Sequence, residues 1–164
     1  MPPTPSDPIP TLSILDRLVD DAPAATSEAV AARADRARIL ARMKESVQRD
    51  LEWLLNTKQS IVDRPPGLAH LDRSLLAYGL PDFSASSLDD GKERDRLLRA
   101  VEEAIRRFEP RLAAVRARLE EGRDTERSLR FRIDALLRLD PDPEAVSFDS
   151  TLNLGTKAFV VREA

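Results

Sequence analysis

A glutamate and an arginine that flank one proline, Glu109-Pro110-Arg111, are the residues of this sequence best placed to do chemistry. Two residues apart in an extended segment, the two side chains point to the same side of the backbone. They form an ion-pairing fork, because a guanidinium can meet a carboxylate through two parallel hydrogen bonds. We expect Glu109, Pro110 and Arg111 to dock a partner. The alternative is that Glu109 and Arg111 bridge to residues of their own domain and only fix the elbow.

The remaining residues give little support to an enzyme. His70 is the only histidine and the chain has no cysteine, so thiolate catalysis and Cys-based zinc sites are excluded. The acidic pairs Glu102-Glu103 and Glu120-Glu121 are adjacent along the chain and do not resemble the facing carboxylates of a glycosidase. The sequence also lacks a Gly-x-Ser-x-Gly nucleophile motif and a glycine-rich phosphate loop. We therefore predict no catalytic residue, no metal and no cofactor.

The composition is that of a folded domain with a charged surface. The chain has 164 residues, of which 41% are hydrophobic and 34% are charged, enough to bury a core. A net charge of −3 is too small to indicate a nucleic-acid or membrane partner by itself. No apolar run approaches the roughly 18 residues of a membrane span, and the proline-rich start lacks the basic region of a signal peptide. We expect a cytoplasmic protein without nucleic acid and without membrane insertion.

The residues before Pro110 show helical patterns. The first helix is predicted from a Ser27 cap to about Asn56, and it carries an i, i+4 apolar stripe. The second is predicted from about Asp89 to Phe108, with an apolar face and a charged face. Between the two helices, residues 71–80 predict a short helix that Gly79 caps and Pro81 ends.

Strand patterns follow the proline, because apolar residues then recur at every second position. Val115 to Leu119 and Leu129 to Leu137 predict a hairpin around a turn at 121–124. A third strand begins near Val146, and a short last strand runs from Phe159 to Val161. The fold class is therefore α+β, with N-terminal helices packed on a C-terminal, mostly antiparallel sheet of about four strands. We place a leader with a short apolar anchor at 1–25 and a single domain at 26–164.

Two surfaces of this sheet are candidates for partner binding. The face away from the helices is basic, and its charged residues are Arg116, Arg118, Arg130, Arg132 and Arg138. A solvated face and a partner surface are both consistent with such a row. The short strand with Phe159 and Val161 is an edge strand, and an edge strand can accept a partner strand through main-chain hydrogen bonds.

Five segments, taken in order, resemble one known family. They are Leu12-Ser-Ile-Leu-Asp-Arg-Leu, Ser46-Val-Gln-Arg-Asp-Leu-Glu-Trp-Leu-Leu-Asn-Thr, Ser74-Leu-Leu-Ala-Tyr-Gly-Leu-Pro-Asp, Phe108-Glu-Pro-Arg-Leu and Val146-Ser-Phe-Asp-Ser. With these segments the chain resembles the TssE family of type VI secretion baseplate subunits. That family is related to the wedge protein of contractile phage tails.

The resemblance implies a structural component. It implies a place in the baseplate wedge with TssF, TssG and TssK, docked on the inner-membrane complex. It also implies a fold like the handshake domain of sheath subunits, on which the contractile sheath of TssB and TssC starts to assemble by strand pairing. Glu109, Pro110 and Arg111 occupy the Glu-Pro-Arg position that the family uses for attachment to the wedge core.

Wedge proteins of this type are often labelled lysozyme-like, so a muramidase that acts locally on the cell wall is the alternative function. Such an enzyme needs a protonated carboxylic acid as its general acid. Arginines beside Glu109 favour its charged form, which is the wrong state for that role. The sequence therefore predicts a protein that is not an enzyme.

Overall fold

The computed structural model describes residues 31–60, 70–83, 90–120, 128–140 and 142–164, with side chains of the first helix described from residue 37. The predicted leader and its apolar anchor, the Ser27 cap and the turn at 121–124 lie outside the described residues.

Within the described residues, two long helices precede a four-stranded sheet. Helix α1 spans Ala31–Asn56 and α2 spans Gly91–Phe108. The strands are β1 (Leu112–Leu119), β2 (Ser128–Leu137), β3 (Glu144–Asn153) and β4 (Phe159–Glu163). All neighbouring strands are antiparallel, in the order β1-β2-β3-β4. The predicted α+β class and the predicted meander are confirmed.

Both helices lie on one face of the sheet. Helix α1 contacts β4 and α2 contacts β1, at opposite sides of the sheet. The helices and the sheet form two layers because the apolar stripes of the helices meet the alternating apolar side chains of the strands. The largest fully buried side chains of this core include Leu51, Leu97, Ile105, Phe131, Ile133 and Phe148.

Strand β1 departs from the alternation predicted directly after Pro110. Leu112 and Val115 are both buried although they are three residues apart. The pairing register with β2 shifts between Ala113 and Arg116, and Ala114 has a φ of 52°. One extra residue is thus accommodated as a β-bulge. Regular alternation begins only at Val115, as the apolar pattern from that residue onward predicted.

The predicted short helix at 71–80 is wrong. The segment forms two 3₁₀ turns, Leu71–Arg73 and Leu75–Ala77, separated by Ser74 in an extended conformation. The Ser74 side chain accepts a hydrogen bond from the N–H of Leu76. Serine favours such local bonds over a continuous helix, so the apolar spacing alone was misleading here.

Gly79 serves a different purpose from the predicted helix cap. It has a φ of +102° and follows Tyr78, which is extended. This conformation brings the chain against the end of α1, where Leu80 and Thr57 share a main-chain hydrogen bond of 2.8 Å. A Cβ atom at position 79 would lie 2.2 Å from the carbonyl oxygen of Thr57.

We predict that Gly79→Ala lowers the free energy of unfolding by at least about 2 kcal/mol, because both the backbone conformation and the space exclude a side chain. Urea unfolding followed by circular dichroism measures the change. Gly91→Ala is the matched control, since a Cβ there meets nothing within 4 Å. Equal stability of the two variants would show that the contact at Gly79 is not tight.

Candidate partner-binding surfaces

The elbow between α2 and β1 is a three-residue reversal around Pro110. The N–H of Glu109 donates to the carbonyl of Ile105 at 2.8 Å and closes the last turn of α2. A proline makes helical geometry unfavourable for the residue before it, so the helix ends there. The N–H of Leu112 donates to the carbonyl of Glu109 at 3.1 Å across the turn. Pro110 is exposed at its tip.

The side chains of Glu109 and Arg111 form the predicted fork, and the fork faces inward. Glu109 is only 4% exposed. Arg111 Nε donates to Glu109 Oε1 at 2.7 Å, and Arg111 Nη2 donates to Glu109 Oε2. The same guanidinium reaches α1, where Nη1 donates to Ser46 Oγ at 3.0 Å and Nη2 donates to Asp50 Oδ2 at 2.5 Å. These four residues, Ser46, Asp50, Glu109 and Arg111, are called the elbow network below.

The electrostatics of the elbow network extend to a nearby tyrosine. Hydrogen bonding to Glu109 holds the pKa of Arg111 above its ordinary value, although burial acts in the opposite direction. Tyr78 stacks edge-on against Phe108, with ring centroids 5.2 Å apart. Burial raises the pKa of Tyr78, and the negative charges of Asp50 and Glu109 raise it further.

Tyr78 therefore reports on the elbow. It is the only tyrosine, so ultraviolet absorbance during an alkaline titration follows this residue alone. We predict a titration midpoint above that of the unfolded chain, which is about 10. Because the unfolded form ionises first, the free energy of unfolding should fall as the pH rises past about 10.

The variant Asp50→Asn should lower the Tyr78 midpoint, since it removes one of the negative charges that raise the pKa. The control is Glu103→Gln, which removes an exposed carboxylate paired with Arg107. A midpoint that does not respond to Asp50→Asn would contradict the placement of Tyr78 beside this charge.

Another prediction concerns the buried carboxylate of Glu109. Glu109→Gln keeps the shape of the side chain but removes the charge that Arg111 needs. We expect a loss of about 2–4 kcal/mol in the free energy of unfolding, because breaking a buried pair leaves a poorly compensated charge. The same change at Glu103, in a surface pair, should cost under about 1 kcal/mol. Similar costs at the two sites in chemical denaturation would refute a structural role for the inward fork.

The outer sheet face is less basic than the sequence predicted. Its arginines lie where expected, but acidic side chains from neighbouring strands lie between them. Arg118 forms an ion pair with Asp134, and Arg132 Nη2 lies 2.8 Å from Asp149 and 2.9 Å from Glu120. Hydrogen bonding from Arg118 lowers the pKa of Asp134. Much of the predicted positive charge is therefore compensated within the fold.

The outer edge of β4 is covered by side chains of α1. Asn56 bonds both main-chain groups of Phe159, accepting from the N–H and donating to the carbonyl, each at 2.9 Å. Glu52 accepts from the N–H of Val161 at 3.3 Å, and Gln48 donates to its carbonyl at 3.0 Å. Phe159 and Val161 are both buried. A partner strand at these residues would have to displace three side chains.

The outer edge of β1 is covered at one position. The N–H of Glu120 donates to the carbonyl of Arg130 at 3.1 Å, so the antiparallel alternation turns the main-chain groups of Ala117 and Leu119 away from β2. Glu102 of α2 accepts from the N–H of Ala117 at 2.9 Å. Within the ranges that the structure describes, the main-chain N–H and C=O of Leu119 have no hydrogen-bond partner.

Sequence reasoning missed the α1 residues that complete these sites. Ser46 and Asp50 are spaced i, i+4, which is the spacing of side chains on one helix face. Gln48, Glu52 and Asn56 form a polar row with the same spacing. This periodicity was readable in the sequence, but nothing in it indicated which strand or turn each row would meet.

Comparison with known proteins identifies the family. Residues 41–142 match the family model described as baseplate wedge protein gp25. The matched range runs from α1 through α2 and the elbow to the end of β2, and it contains the whole elbow network. The chain belongs to the baseplate wedge protein gp25 family, a family of structural baseplate components of contractile injection systems. No curated protein matches the chain.

The described part of the chain contains no helix that is long and apolar enough to cross a membrane. The same residues contain no group of three or more His, Cys, Asp or Glu side chains that could hold a metal ion.

Proposed function

We propose that this protein is a TssE-type baseplate subunit of a type VI secretion system. In this role it joins the wedge with TssF, TssG and TssK on the cytoplasmic side, at the inner-membrane complex, and it offers a sheet edge on which the TssB–TssC sheath begins to assemble. The family match supports a baseplate role. The resemblance of the Glu-Pro-Arg segment and the other four segments to TssE supports the narrower assignment.

The hydrogen bonds of the two sheet edges favour β1 over β4 as the strand-accepting edge. At β4, the outward main-chain groups of Phe159 and Val161 are already bonded to α1. At β1, Glu102 takes one outward N–H, and the main-chain groups of Leu119 face outward without a partner in the described structure. A partner strand gains hydrogen bonds at Leu119 without displacing others. Partner contact at Phe159 and Val161 stays a prediction.

The elbow is proposed as the wedge-facing end. Since Glu109 and Arg111 bond each other and α1, the exposed Pro110 is the part of the motif that a wedge subunit can contact directly. The charged pair would then act by holding that turn in shape.

A structural role is proposed in preference to the muramidase alternative. The carboxylate of Glu109 is bonded by the side chain and the main-chain N–H of Arg111. A carboxylate that is only 4% exposed and has both oxygens bonded to Arg111 is not open to a glycosidic oxygen.

Leu119→Pro tests the strand-pairing edge. Proline removes the outward N–H and is tolerated on edge strands whose N–H faces away from the sheet. Leu119→Ala is the matched control, because it shortens the same half-buried side chain and keeps the N–H. In cells of the native organism with fluorescent TssB, we expect Leu119→Pro to lose extended sheaths and Leu119→Ala to retain them.

Co-purification separates the two parts of the proposal. The Leu119→Pro variant should still co-purify with TssF, TssG and TssK, because the substitution leaves the elbow unchanged. Normal sheaths in Leu119→Pro would exclude β1 as the template edge. Absence of all three wedge subunits from the purified native protein would refute the TssE-type assignment.

A further inference from the structure

A groove crosses the outer face of β2, β3 and β4, on the side of the sheet away from the helices. Its volume is about 440 Å³. Arg130, Thr151 and Val160 form one cross-strand row in it, since Arg130 pairs with Thr151 and Thr151 pairs with Val160. Arg162 lies two residues beyond Val160 on β4, next to Asp149 of β3. The groove is therefore built on regular strand pairs.

The carboxylates around this groove are already engaged within the fold. Asp149 and Glu120 both bond to Arg132. Glu163 bonds to Lys44, which also bonds to Glu144 at 3.2 Å. By contrast, Arg130 and Arg162 are exposed and make no ion pair within the described residues. The groove thus presents two arginines whose charges are not compensated locally.

The spacing of the two arginines suits an extended segment of protein. Arg130 and Arg162 are two strands apart and offset by two residues, which places their Cα atoms roughly 12 Å from each other. Val160 ends the cross-strand row that begins at Arg130, lies two residues from Arg162 on β4 and is 45% exposed. Two guanidinium groups at this separation engage two different carboxylates, and an apolar side chain between those carboxylates contacts Val160.

We propose that this groove binds an acidic segment of a protein partner, with one carboxylate on Arg130 and another on Arg162. Arginine is suited to this contact because its fork makes bidentate hydrogen bonds to a carboxylate. A nucleic acid fits less well, since a continuous phosphate backbone needs a longer row of cations than these two arginines, and an exposed apolar side chain, Val160, lies beside them. The inference concerns the sheet face and is independent of strand pairing at β1.

The test uses the full-length protein and a fluorescein-labelled peptide that repeats glutamate-serine-leucine-serine, followed by fluorescence anisotropy at low salt. In the extended form of this peptide, glutamate and leucine alternate along one face. We expect saturable binding, weakened about tenfold in Arg130→Gln/Arg162→Gln, because two exposed charge pairs are lost. The control Arg38→Gln/Arg99→Gln removes the same charge from exposed sites on the helices, outside the groove, and should bind as the native protein does. Both double variants keep every ion pair described for the sheet.

Changes in amide chemical shifts on binding locate the binding site on the protein. Binding should perturb the amides of Arg130, Thr151, Val160 and Arg162 in the native protein. Three outcomes would overturn the proposal: no binding of the acidic peptide, an equal loss of affinity in both double variants, or stronger groove-dependent binding of a single-stranded oligonucleotide of similar charge.

Discussion

The buried contact between Glu109 and Arg111 fixes how the two layers of this domain are joined. Glu109 ends α2, Arg111 begins the approach to β1, and the Arg111 guanidinium continues to Ser46 and Asp50 on α1. One side chain therefore connects the helix that precedes the elbow, the strand that follows it and the long first helix. An uncompensated charge at this depth would be costly, so the arrangement holds only when all partners are in place. The exposed turn at Pro110 is consequently a rigid feature of the surface.

Both edges of the sheet are bonded by side chains from the helices that pack beside them. Gln48, Glu52 and Asn56 of α1 cover β4, and Glu102 of α2 covers one amide of β1. Covered edges resist unwanted strand pairing. Within the described residues, the unequal coverage leaves β1 as the edge whose outward main-chain groups are not all bonded. For a baseplate wedge protein, such asymmetry would restrict strand addition to the β1 edge of the sheet.

The sequence predicted those features that depend on local periodicity. The apolar stripe from Met43 to Leu55 predicted the buried face of α1, and the alternation from Leu129 to Leu137 predicted the core side of β2. The fork between Glu109 and Arg111 was also predictable, because its partners are two residues apart. The predicted helix at 71–80 failed because Ser74 bonds locally and divides the segment. The β-bulge at Ala114, just before the predicted strand, had no signal in the apolar pattern.

Features that depend on contacts between distant residues could not be predicted from the sequence. Asp50 and Arg111 are 61 residues apart, and no pattern in either segment indicates the other. The same holds for Asp134 and Asp149, which neutralise arginines on adjacent strands and convert a predicted basic face into a mixed one. That Arg130 and Arg162 form no ion pair within the described residues becomes visible only after these partners are assigned.

If the contact between Arg111 and α1 joins the two layers, Asp50 and Arg111 must show a coupling free energy. A double-mutant cycle with Asp50→Asn and Arg111→Met, measured by urea unfolding, isolates this contact. We expect a coupling of about 1–3 kcal/mol. The exposed pair Lys58–Asp82 should give less than about 1 kcal/mol in the same experiment. A coupling at Asp50–Arg111 no larger than at Lys58–Asp82 would contradict the view that this contact holds the two layers together.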